Sequence, residues 1–391
     1  MWLILSKELS LYFHFPFCKR KCFYCDFNSF SGFDQIMPSY VKALLSEVQF
    51  YLPQPSKIIK SIYFGGGTPS YFPVESLATI LQFTITHFLV PKKAEITVEI
   101  NPGTLDVEGL IHLHEAGFNR LSIGLQAIQN DLLKKIGRIH SAQEFFDIYE
   151  LARETGFHNI GVDLIFGLPG QTLRQWQETL QTVVELNPEH ISAYSLQLEP
   201  GTFLHQQVTR KEMHLPPEET VADMMEYTMS YLHESGYNQY EISNYAKPGF
   251  ESIHNLGYWL GHDYLGFGAG ASSTRLGQRW VNVKDPHIYI EKLLSGKSVV
   301  AERENIDKQT AAVEAIMLGL RLHSGIDLQN MREKYGIDLR ANLGHNLDKL
   351  SEANLIEIDN NNFRLTNKGI LTSNLVIANV IDSMWKSSCS V

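Results

Sequence analysis

The feature that most constrains this chain is a rhythm in its first half. Short β-branched or apolar runs fall at Leu11–Phe15, Ile58–Phe64, Ala94–Ile100, Arg120–Ile123, Ile160–Phe166 and His190–Leu196. Amphipathic stretches lie between them at 37–52, 74–89, 106–116, 141–155 and 172–186. Strand, helix, strand at this spacing predicts βαβ units and a parallel sheet. Six such units are too few to close an eight-fold barrel but enough for an open, partial (βα)6 TIM-like barrel. The fold class is therefore α/β, with its chemistry expected at the C-terminal ends of the strands.

After Pro200 the rhythm breaks. Residues 217–235 read as a helix, and 236–282 are rich in glycine and aromatics. Helical periodicity returns at 285–295 and 305–323. Two shorter helices are expected at 327–335 and 341–350. The end reads as strand, turn at Asn360–Asn362, strand and helix, which is the pattern of a small winged-helix-like unit. The expected division is 1–235 for the partial barrel, with a loop of special chemistry at 16–30, then 236–300 for an α/β continuation, then 301–391 for the helical to winged C-terminal unit.

That loop carries three of the four cysteines. The string LYFHFPFCKRKCFYCDF places Cys18, Cys22 and Cys25 directly after the first strand. Thiolates are soft ligands and suit zinc or iron–sulfur clusters. Structural zinc wants four protein ligands, and here the fourth could only be His14 or something remote. A 4Fe–4S cluster also takes four ligands, so three cysteines leave one iron open. Cys389, the third residue from the end of the sequence, is expected to be a free thiol.

The C-x3-C-x2-C spacing after a first strand resembles the radical S-adenosylmethionine (radical SAM) superfamily. The segments FGGGTPS (64–70), VEINPGT (98–104), RLSIGLQAI (120–128), GRIH (137–140), VDLIFGLPGQT (162–172) and YAKPGFESIHNLGYW (245–259) sharpen the likeness. Together they resemble the oxygen-independent coproporphyrinogen III oxidase-like branch, and within it the haem chaperones most. The resemblance implies a 4Fe–4S cluster on Cys18, Cys22 and Cys25. It implies SAM held by Gly66, Gly67 and Thr68 at its amino group, by Gln126 and Asp163 at the ribose, and by Arg138 at the carboxylate; Glu99 belongs to the same site, its carboxylate partnered by a cationic group of the ligand or by Arg138. Tyr12 and the backbone near Tyr24 would line the same site. One electron would cleave the sulfonium and leave methionine and a 5′-deoxyadenosyl radical, which demands a dry site. His254 of His254-Asn255-Leu256-Gly257-Tyr258-Trp259 would bind haem, since a neutral imidazole can ligate iron and aromatics suit a porphyrin face.

The dehydrogenases of this branch extend the cluster motif by one cysteine, at the position where this chain has Phe27. They also carry a longer segment before the first cluster cysteine. Both departures favour a haem chaperone over radical decarboxylation of coproporphyrinogen III to protoporphyrinogen IX. Whether the chain is an enzyme stays open at this level. A zinc-stabilised barrel without redox chemistry is the remaining alternative. The expected partners are haem, an acceptor haemoprotein and an electron donor such as a flavodoxin or ferredoxin, with room for a homodimer. A formal net charge of −10 without a basic block argues against nucleic acid. No apolar run is long enough to span a bilayer. The opening residues show no signal peptide, so a cytoplasmic location is expected.

Overall fold

The computed structural model describes residues 8–52 and 57–386. The leader reading rests partly on residues outside that range, and Cys389 lies outside it altogether. Twelve strands form one large sheet in the order β12-β11-β10-β9-β1-β2-β3-β4-β5-β6-β8-β7. The strands are β1 (Glu8–Phe15), β2 (Ile58–Gly66), β3 (Glu95–Ile100), β4 (Arg120–Gln126), β5 (Ile160–Phe166), β6 (His190–Ser195), β7 (Asn238–Gln239), β8 (Asn244–Ala246), β9 (Tyr264–Phe267), β10 (Ser272–Arg275), β11 (Gln278–Asn282) and β12 (Val300–Asn305). From β1 to β6 every neighbour is parallel and sequential. The sheet ends at β12 and β7, so the barrel is open, as the alternation predicts.

Helices return the chain between these strands. They are α1 (Met37–Phe50), α2 (Val74–His87), α3 (Val107–Ala116), α4 (Asn130–Lys135), α5 (Ala142–Glu154) and α6 (Leu173–Glu185). Local chemistry fixes where two of them start. Ser141 and Glu144 form a reciprocal capping box at α5, and Thr172 and Gln175 form another at α6. Beyond β6 lie α7 (Phe203–Thr209), α8 (Glu218–Glu234), α9 (Ile253–Trp259), α10 (Pro286–Leu294) and α11 (Lys308–Gly319).

Strand alternation explains how the sheet makes both a core and a site. One face carries Leu11, Phe13, Phe64, Val98, Ile123, Val162 and Leu164, all fully buried in the main hydrophobic core. The other face carries Ser10, Ser61, Tyr63, Glu99, Arg120, Ser122, Asp163 and Ser192. A face this polar cannot pack against apolar helices without loss, so it encloses polar groups and cavity instead.

Two features depart from the simple rhythm. First, β9 joins the sheet beside β1 as a further parallel strand, pairing Ser10 with Tyr264 and Phe13 with Phe267. Second, Glu47 on α1 is a fully buried acid. It accepts hydrogen bonds from the Gly268 N–H at 2.8 Å, Asn282 Nδ2 at 2.7 Å and the Tyr289 hydroxyl at 2.5 Å. These bonds tie α1 to the turn after β9 and to β11 and α10. Residues 316–384 build a separate, smaller core around Ile316, Leu320, Phe363 and Val380. Its sheet joins Ile326–Asp327, Asn362–Leu365 and Ile356–Ile358, in line with the winged pattern read at the end of the chain.

Candidate functional site

The C-terminal ends of β1 to β6 surround a cavity of about 500 Å³. All three motif cysteines border it, together with Tyr24, Gly66, Gly67, Thr68, Glu99, Gln126, Arg138 and Asp163. Segments separated by more than a hundred residues thus meet because each follows its own strand.

The cysteine loop is fixed by its backbone. The Cys18 N–H donates to Phe30 O and the Phe30 N–H to Pro16 O, both at 2.8 Å. The Phe23 N–H reaches Ile136 O at 2.9 Å, and Lys21 Nζ donates to Phe27 O at 2.8 Å. Thr68 Oγ1 donates to Cys18 Sγ at 3.5 Å, and Arg138 Nη1 to Cys22 Sγ at 3.6 Å. None of the three thiols is in a disulfide. Burial raises the pKa of the free Cys18 and Cys25 thiols.

The glycine loop after β2 can contain nothing larger. A Cβ on Gly67 would stand 2.8 Å from the carbonyls of Phe15 and Phe17 and 3.0 Å from Cys18 Sγ. Gly66 has φ +115°, and a Cβ there would strike the His14 ring at 2.5 Å.

Glu99 accepts from the Tyr63 hydroxyl at 2.9 Å and from the Gly66 N–H at 3.1 Å. Burial and the Asp163 carboxylate push its pKa up to about 7 despite those two donors. Asp163 accepts from Ser122 Oγ at 2.9 Å, and its pKa is also raised, chiefly by burial. Arg138 was one candidate partner for Glu99. It bonds elsewhere, donating from Nη2 to Asn101 Oδ1 at 2.5 Å and to Gly124 O at 2.8 Å. Burial works against its charge, but Tyr24 and Cys22 outweigh that and raise its pKa. Gln126 holds φ +71°, a left-handed conformation rare outside glycine, and its side chain enters the cavity. Strain of this kind persists only where the surroundings enforce it, and it concentrates at functional sites.

Two expected site residues lie elsewhere. Tyr12 does not border the cavity; its hydroxyl bonds His14 Nδ1 at 3.0 Å. His254 is 1% exposed and does not border this cavity either. Ser61 Oγ donates to Ser10, so His254 Nδ1 carries the proton and donates to Ser61 Oγ at 2.9 Å. Its Nε2 accepts from the Tyr258 hydroxyl at 3.0 Å, and Tyr63 stacks on the ring at 4.9 Å. Burial, then Arg120, lowers its pKa to about 3. Several cavity residues escaped the sequence reading, among them Tyr63, Asn101, Arg120, Ser122 and Ser192. Asn101, Arg120 and Ser122 sit inside quoted motifs. Tyr63 and Ser192 carry only the signal of polar residues alternating along apolar strands.

Three thiols after the first strand, a glycine-lined second loop and strand-end carboxylates around one cavity define a protein of the radical SAM type. The Radical SAM superfamily profile matches residues 12–183, and the HemN C-terminal domain profile matches 306–372. The protein named Heme chaperone HemW from Bacillus subtilis is 40% identical, over 94% of this chain and 97% of its own length. Its namesake from Lactococcus lactis is 36% identical, over 95% and 97%. The solved structure of coproporphyrinogen III oxidase (HemN) from Escherichia coli, described as a radical SAM enzyme, superposes with a TM-score of 0.83. It covers 97% of this chain and 91% of that one, at 24% identity. The chain belongs to the HemW family of the radical SAM superfamily.

Membership implies a 4Fe–4S cluster and SAM, and the donor set suits them. A cubane binds each thiolate at a different iron, whereas zinc needs ligands converging on one point. No three His, Cys, Asp or Glu side chains among the described residues converge in that way. His14, the candidate fourth zinc ligand, spends Nδ1 on Tyr12 and Nε2 on Asn28 O at 2.8 Å. Arg138 Nε is buried in the same cavity wall without a hydrogen-bond partner. Among the described residues, no helix is long and apolar enough to cross a membrane.

Proposed function

We propose that this protein is a haem chaperone: it binds haem, carries a 4Fe–4S cluster and SAM, and passes haem to an acceptor haemoprotein. One observation carries the reading. A relative named as a heme chaperone matches nearly the whole chain at 40% identity. The likeness to the oxidase is one of fold.

In this reading Cys18, Cys22 and Cys25 hold the cluster and leave one iron for the methionine end of SAM. The backbone of Gly66–Thr68 and the Glu99 carboxylate receive the amino group, Arg138 the carboxylate, and Gln126 with Asp163 the ribose hydroxyls. The cluster and SAM together supply one-electron cleavage chemistry. The chain's own work is to position and to keep dry. Tyr63 and the Gly66 N–H hold Glu99 in place, Asn101 and Gly124 fix the Arg138 fork, and the buried aromatics behind the loop exclude water. An electron donor such as a flavodoxin or ferredoxin, a cytoplasmic location and a homodimer belong to the same proposal. So does a division of the chain into units bounded near residues 235 and 300.

The second reading is radical decarboxylation of coproporphyrinogen III. Phe27 speaks against it: this side chain stands 62% exposed on the cluster loop, where the dehydrogenase pattern has a further cysteine. Anaerobically reconstituted protein is expected to contain about four irons per chain, to take up one haem, and to yield no protoporphyrinogen from coproporphyrinogen, SAM and reductant. Decarboxylated product, or no haem uptake, overturns the chaperone reading.

A further inference from the structure

A second cavity, of about 590 Å³, opens between the sheet and the C-terminal unit. That volume lies within the range of small-molecule and cofactor sites, roughly 300–1,000 Å³. Helix α9 is the partition between the two cavities. Its Asn255 borders the first, and its Tyr258 and Trp259 border the second. His254 lies inside the partition with both nitrogens engaged.

The second cavity has the chemistry that a flat, metal-bearing, dicarboxylate ring requires. Tyr258 and Tyr264 meet edge to face at 4.6 Å. Leu260 and Met317 are 52% and 37% exposed, large apolar side chains left uncovered at the cavity wall. His262, on the turn after α9, borders the cavity, and its ring makes no hydrogen bond among the described residues. Two cations also border it. Arg279 is committed to Glu304 and Glu314 at 3.0 and 2.7 Å. Lys334 makes no ion pair among the described residues and rests on the Tyr335 ring at 5.2 Å.

We infer that this second cavity is the haem site, with His262 as axial ligand, Tyr258, Trp259, Leu260 and Met317 against the ring, and Lys334 facing a propionate. The inference rests on the chaperone reading and replaces its ligand. The Nε2 lone pair of His254 already accepts from Tyr258, so His254 is a positioning residue that sets the Tyr258 hydroxyl at the cavity wall. Binding is coordination and burial alone, with no bond broken and no electron transferred.

The test is haemin titration of the full chain, followed by absorption and electron paramagnetic resonance spectra, on wild type, His262→Ala, Ala315→Trp and His254→Leu. His262 is exposed, so its truncation leaves the core intact. His262→Ala is expected to lose the imidazole-ligated spectrum and to bind at least ~10-fold more weakly, about 1.4 kcal/mol, with the spectrum restored by free imidazole. Ala315→Trp fills the cavity and should weaken binding at least as much. His254→Leu should keep the imidazole-ligated spectrum. A wild-type spectrum and affinity in His262→Ala, or loss of the imidazole signature in a folded His254→Leu, overturns the site. If wild type takes up no haem, the chaperone reading itself falls; haem uptake that neither His262→Ala nor Ala315→Trp alters overturns only this inference.

Discussion

The two cavities on either side of α9 are built in opposite ways. The first is assembled from strand ends of one parallel sheet, and its polar groups hold one another: Glu99 by Tyr63 and Gly66, Arg138 by Asn101 and Gly124, Asp163 by Ser122. The second is assembled from a helix end, the β10–β11 hairpin, α11 and the C-terminal unit, and its bordering His262 and Lys334 make no such bonds among the described residues. A site for repeated chemistry needs its groups fixed before the ligand arrives. A site that must give up its cargo is better served by apolar walls and a few polar anchors.

The sharpest break between them comes from Cys22→Ala. Anaerobic reconstitution should then lose most of the iron, measured by iron assay and the visible spectrum, while haem uptake persists. Loss of both together would mean the cavities are not independent. Next in size is His254→Leu, which strands the Ser61 and Tyr258 hydroxyls in the partition. It should cost about 1–3 kcal/mol in denaturant melts. The same variant tests a pH dependence. His254 stays neutral down to about 3 in the folded chain, whereas an unfolded histidine takes a proton near its ordinary 6.5. Wild-type stability should therefore fall as pH drops below 6.5, and His254→Leu should flatten that fall.

Glu99 gives a parallel effect in the first cavity, on binding rather than on stability. With its pKa at about 7, it is protonated in more acidic solution and attracts an amino group only once ionised. SAM affinity should rise by up to ~10-fold per pH unit below 7 and level off above it. In Glu99→Gln the profile should be flat, as calorimetry across pH would read. The smallest expected effect is at the wall of the second cavity. Arg279→Ala removes the pairs to Glu304 and Glu314, which are partly exposed, and should cost no more than about 1 kcal/mol. A larger loss would show that the C-terminal unit depends on this link.

The same contrast explains what the sequence reveals. Strands β1 to β6 and the helices α1, α2, α3, α5 and α6 are legible to within a few residues, because local periodicity sets each of them; the six-residue α4 is too short to show a period. The first cavity is legible because its groups lie in short motifs at strand ends. Strand β9 is not. It is four residues long, sits in a glycine- and aromatic-rich stretch, and is held in the sheet by Phe267 stacking on Phe13 at 5.0 Å. The buried Glu47 gives no signal either, since an acid on an amphipathic helix reads as solvated until its three donors arrive from more than two hundred residues away. His254 was placed by motif alone. What the motif could not convey is that its Nε2 is already spoken for by Tyr258, four residues on.

The Glu95 carboxylate grips the start of α9, accepting from the N–H groups of Ile253 and His254 at 2.8 and 3.1 Å. That short helix is thus a party wall with two tenants. Any substitution in it that improves one chamber is judged at once by the other, which leaves these residues less freedom to drift than their modest number of buried atoms would suggest.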